Sequence, residues 1–120
     1  MSEFYIDIEK KGEITLMVLS GISKALNKQS SDVIKLREEF KELAKNGATK
    51  VIVDLSGIEY IASDTIGSFL SGLYILRKQG GNLVLFNPND YLQRIFNIVR
   101  LQDVIKITED YDDAVAYLNP

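Results

Sequence analysis

"VIVDLSGIEYIASDTIGSF", residues 51–69, decides the fold. Its start, extended by one residue to "KVIVDL" (50–55), is an apolar run suited to a strand buried in the middle of a sheet. Its end feeds Ile66, Phe69, Leu70, Leu73 and Leu76, which recur at helical spacing. Between them lies the polar break "ASDT" (62–65), the part of the stretch that could hold chemistry. The question it raises is whether Ser63 caps the helix or is there to be modified.

Working outward, residues 4–8 ("FYIDI") alternate and read as a first strand, with Lys10, Lys11 and Gly12 as the turn. Residues 14–20 ("ITLMVLS") read as a second strand that completes a hairpin and stops at Gly21. The polar stretch "ISKALNKQSS" (22–31) reads as a surface loop. Ser31 or Asp32 then opens a helix with an apolar face of Val33, Leu36, Phe40 and Leu43, ended by Asn46-Gly47. Beyond the opening stretch, Gly80-Gly81 stops the second helix and "NLVLF" (82–86) is a strand. Asn87-Pro88-Asn89-Asp90 supplies a turn and a cap for a third helix bearing Leu92, Ile95, Phe96 and Val99. "VIKI" (104–107) is a short strand, and Thr108 to Asp110 open a last helix with Ala114, Val115 and Leu118. Strands alternating with helices imply an α/β fold: a mixed, mostly parallel sheet with an N-terminal β-hairpin and about four helices, in a single domain over 1–120.

Composition narrows the function. Hydrophobic residues at 46% and charged residues at 26% suit a soluble globular domain. No apolar run approaches the roughly 20 residues of a spanning helix, and "MSEFYIDIEKKG" lacks the pattern of a signal peptide. The expectation is a cytoplasmic protein with no membrane partner. There is no cysteine and no histidine, which removes the thiolate nucleophile, the commonest base near neutral pH and the commonest transition-metal ligands. A net charge of −3 argues against a phosphate-tracking surface for nucleic acid. A binding or regulatory module is therefore favoured over an enzyme, with no metal and no cofactor.

Other candidate constellations have simpler explanations. Asp54 resembles the phosphoacceptor of a response-regulator receiver, but the first strand's "IDIE" offers no acidic cluster at its end to hold a cation. It reads instead as a polar residue bonded into the turn that follows. Gly80-Gly81 sits after a helix and before a strand, the reverse of a phosphate-cradling loop. The carboxylates of "TEDYDD" (108–113) suit a helix N-terminus. Ser63 stays open on the residues alone. Its hydroxyl is a natural N-cap, as are Asp64 and Thr65, yet a helix N-terminus is also where a phosphate is tolerated without unfolding.

The segment "KVIVDLSGIEYIASDTIGSFLSGLYILRKQGGNLVLFNPNDYLQRIFNIVRLQDVIKI" (50–107) resembles a STAS domain of the bacterial anti-sigma-factor antagonist family, with residues 4–47 following in outline. The shared features are "VIVDLSGI" with its Tyr60-Ile61, the polar turn and helix, Gly80-Gly81 with the strand after it, "RIF" (94–96), and Leu101 with Val104-Ile105. In that family the turn reads Asp-Ser-Ser/Thr-Gly-Leu/Ile-Gly, and the serine is phosphorylated by an anti-sigma factor that is itself a serine kinase. The unmodified antagonist binds that partner and frees a sigma factor; phosphorylation ends the binding. The resemblance implies Ser63 as phosphoacceptor and Ala62, Ser63, Asp64, Thr65, Ile66 and Gly67 as the partner-binding turn. Ala62 replaces the family's Asp, Asp64 its second hydroxyl and Thr65 its first Gly. The loop after Gly21 is longer and more basic than the family's, and Arg100 stands where the family has Gly. A second reading keeps the fold and drops the switch: with Asp64 already charged, the domain is a constitutive scaffold or a ligand-sensing subunit. A small hydrolase ranks last, for want of a nucleophile–base pair. The oligomeric state is not legible.

Overall fold

The computed structural model describes residues 4–21 and 31–120. Phe4–Lys11 (β1) pairs antiparallel with Ile14–Gly21 (β2), and Lys50–Ile58 (β3), Asn82–Phe86 (β4) and Lys106–Thr108 (β5) follow in parallel. The sheet order is β1-β2-β3-β4-β5. Ser31–Lys45 (α1), Ser63–Arg77 (α2) and Asp90–Ile98 (α3) occupy the connections, and Tyr111–Leu118 (α4) closes the chain. The expected architecture is thus present: a mixed, mostly parallel sheet, an opening hairpin and four helices.

The position of the helices follows from topology. Every crossover from β2 to β5 steps the same way across the sheet, and connections of fixed hand then place their helices on one face. Accordingly Leu36 and Phe40 of α1, Phe69 and Leu73 of α2, and Leu92 and Phe96 of α3 share one core with Met17, Val51, Val53, Leu55 and Leu85. α4 is not a crossover, so it is free to cover the other face, where Ala114 and Leu118 meet Ile14, Leu16, Ile52 and Val84. Side chains alternate along a strand, so β3 is buried on both faces, and its apolar run has that cause. No helix of the described residues is long and apolar enough to cross a membrane.

Element boundaries differ from expectation in four places. β1 continues to Lys11, with Lys10 opposite Thr15 and Lys11 opposite Ile14. The turn therefore tightens to Gly12-Glu13, with Gly12 at φ +65°, because a two-residue loop lets the ladder run to its end. β3 extends past residue 55, since pairing with β2 resumes at Ser20–Gly57 after an irregularity. The last strand is Lys106–Thr108 and not 104–107, because the turn Leu101–Asp103 is 3-10 and both Val104 and Ile105 donate to the Leu101 carbonyl. The helix after the polar break starts at Ser63 itself. The loop expected from residue 22 lies, up to residue 30, outside the described residues.

Candidate functional site

β3 ends at Ile58, and after four intervening residues the chain enters α2 at Ser63. The carbonyl of Ala62 accepts from the backbone N–H of Thr65 at 3.0 Å and of Ile66 at 3.4 Å. Ala62 is therefore the N-cap, extended at φ −93° and ψ 160°, and it has no side chain with which to cap. Ser63 occupies the first helical position. Of the two readings of Ser63 that the sequence left open, the helix cap is thereby set aside: the capping position lies one residue earlier. The Ser63 side chain is exposed, and its hydroxyl makes no hydrogen bond among the described residues.

Ser63 stands on the rim of a groove of about 640 Å³. Ile66 and Leu70 of α2 form one wall; Ile95 of α3, with Val99, Leu101 and Val104 beyond it, forms the other. Tyr60 and Tyr91 join the two, stacked with centroids 6.0 Å apart and planes 22° from parallel. The lining is mostly apolar, and its charged members are Asp64 and Arg100. Arg100 is paired with Asp103, Nε to Oδ2 at 2.7 Å, and sits in the left-handed region at φ 57° and ψ 40°. Left-handed backbone favours glycine, the residue that the resemblance puts where this chain has Arg100.

The six residues of the turn do not share one surface. Ala62, Ser63, Asp64 and Ile66 line the groove. Thr65 is only 2% exposed and turns inward. Gly67 faces α1, where a Cβ would lie 3.7 Å from a guanidinium nitrogen of Arg37. On that flank Arg37 Nε donates to Ser68 Oγ at 3.3 Å, and Ser68 Oγ donates to the Asp64 carbonyl at 3.2 Å. α1 thereby holds the first turn of α2. The far wall of the groove was not identified from the sequence, in which Ile95 and Val99 read only as the buried face of a helix. No local pattern connects residues 60–70 with residues 91–104; the exposed tyrosines are the one faint signal.

Asp54 accepts from the backbone N–H of Ser56 at 2.9 Å and also from its hydroxyl, a local arrangement two residues long. No group of three or more acidic residues that could hold a metal ion occurs among the described residues. At the chain's acidic end, Asp110 caps α4 by accepting from the N–H groups of Asp112 and Asp113.

Residues 5–114 match the family model of the STAS domain. The anti-sigma-B factor antagonist of Bacillus subtilis is 36% identical over 80 residues, covering 67% of this chain and 72% of that protein. Among solved structures, an anti-sigma factor antagonist from Mycobacterium paratuberculosis superposes with a TM-score of 0.80 at 14% identity, covering 98% of this chain and 95% of that one. The phosphorylated form of the Bacillus cell fate determinant SpoIIAA superposes with a TM-score of 0.69 at 18% identity, covering 94% and 98%. At such identities the two superpositions speak to the fold.

Proposed function

The chain is a member of the STAS domain family, and on that premise we propose that it is an anti-sigma factor antagonist. It binds an anti-sigma factor that is also a serine kinase, releases the sigma factor that partner held, and is switched off by phosphorylation at Ser63. It acts in the cytoplasm as a binding module, not an enzyme. The observation that carries this reading is Ser63 itself: an exposed hydroxyl without a hydrogen bond among the described residues, at the first position of α2, on the rim of an apolar groove. The groove is the docking surface for the partner's apolar side chains. A phosphate would sit against the free N–H groups and positive dipole end of the helix, so the fold tolerates it. It would also add about two negative charges beside Asp64. A partner surface that closes over a hydroxyl then meets a charge cluster that it must desolvate.

Calorimetric titration with the anti-sigma factor kinase tests this. Ser63→Ala retains binding in the presence of ATP, Ser63→Glu binds about tenfold more weakly or worse, and both keep the circular dichroism of the parent. Equal affinities for the two variants would sink the switch.

A second reading is favoured by Asp64, which places a fixed negative charge on the groove beside Ser63. In that case the module is a constitutive scaffold or ligand-sensing subunit. Intact mass and site mapping of the protein from its own cells, in growth and under stress, separate the readings: a condition-dependent phosphate on Ser63 supports the switch, and none under any condition supports the scaffold.

A further inference from the structure

Asn89 is the N-cap of α3, where its Oδ1 accepts from the Leu92 N–H at 2.8 Å. The other end of the same amide has no part in that cap. Its Nδ2 points to the carbonyls of Ile58 and Glu59, each at 3.4 Å. Those are the carbonyls at which β3 gives way to the loop that carries Ser63. Two residues after Asn89, Tyr91 stacks on Tyr60 of the same loop. The backbone of residues 59–61 makes no backbone–backbone hydrogen bond among the described residues, so Asn89 is the polar tie of that loop.

The turn that holds Asn89 is itself well fixed. Asn87 N–H donates to the Thr108 carbonyl at 2.8 Å, and Gln93 Nε2 donates to the Pro88 carbonyl at 3.1 Å. Arg37 and Ser68 secure the opposite flank of α2. We propose that Asn89 is the positioning residue for Ser63: it clamps the β3–α2 loop to the β4–α3 turn and fixes the orientation in which the serine is presented. The functional meaning rests on Ser63 as the regulated residue; the clamp itself does not.

Capping and clamping use opposite ends of one side chain, so they can be separated. Asn89→Asp and Asn89→Ser both keep an acceptor suited to an N-cap, while Asp loses the donor and Ser cannot reach the loop. In the full chain, amide hydrogen exchange at Thr65 and Ile66, whose N–H groups donate to the Ala62 carbonyl at the end of that loop, should accelerate about fivefold in both variants, the scale of one modest hydrogen bond. Exchange within α3 should not change. The chain has no cysteine, so Ser63→Cys provides a unique thiol for a nitroxide label, with Asn97→Cys on α3 as the reference. The label at position 63 should gain mobility in both Asn89 variants and the reference label should not. Unchanged exchange and mobility at the loop would overturn the proposal, as would an equal rise in the loop and in α3, which is the signature of a cap alone. Neither measurement involves phosphate or partner. A failure of the Ser63 reading would appear separately, as equal affinities of Ser63→Ala and Ser63→Glu.

Discussion

At the end of α2, Gly80 takes φ +81° in open space, whereas a Cβ on Gly81 would collide with the backbone of Thr49. Gly80 donates to the Arg77 carbonyl and Gly81 to the Leu76 carbonyl, the paired bonds of a left-handed helix end. The two neighbours therefore need glycine for different reasons. Gly80→Ala should cost about 1–2 kcal/mol, the strain of left-handed backbone. Gly81→Ala should cost about 3 kcal/mol or more, because rigid backbone has to move aside. Urea denaturation of both variants checks the order, and equal losses would mean that the Thr49 segment yields easily. A sequence shows two stop signals here and cannot rank them, since the clash comes from a segment on another element. Ser63 is a related case at the other end of the same helix. Its type and neighbourhood mark it as special, yet whether it caps α2 or follows the cap turns on which carbonyl Thr65 and Ile66 find.

The element that most invites improvement is α2. Its N-cap position carries an alanine in extended conformation with no side-chain bond to the first turn. α3 and α4, by contrast, are capped by Asn89 and Asp110. Ala62→Asp would supply the missing acceptor at the positive end of the helix. We expect a gain of about 1 kcal/mol, read as a raised urea midpoint with an unchanged slope. Asp64 opposes this little, because residues two apart do not face each other on a helix. No gain would mean that the first-turn donors are already satisfied in solution. The same change places a carboxylate on the groove next to Ser63, so partner affinity should be measured alongside stability.

On the scale of the whole molecule, the sheet and its helices were legible because their signals are local: apolar runs, helical spacing, and glycines and asparagines at ends. β4 matches its expected limits, 82–86, since Gly81 and Asn87 bracket a short uniform run. The groove was not legible, because its two walls come from separate parts of the chain and meet only after β3 and β4 pair. Which face each helix takes follows from crossover direction, and only the sheet order reveals that direction. The same order has an energetic consequence. Leu118 of α4 packs on Ile52 and Val84, whose own strands carry Val51, Val53 and Leu85 into the opposite core beneath α2. The two cores share one sheet, so loss of either should be felt by both. Leu118→Ala, at a site 5% exposed, should lower stability by about 2–3 kcal/mol. Native-state hydrogen exchange should show the slowest amides of α2 and α4 losing protection by the same amount, as expected for one cooperative unit. The asparagine clamp should behave in the opposite way, opening one loop and leaving the rest intact. If instead α4 loses protection first while α2 keeps its own, the second core is a separable layer, and the Ser63 surface is insulated from it.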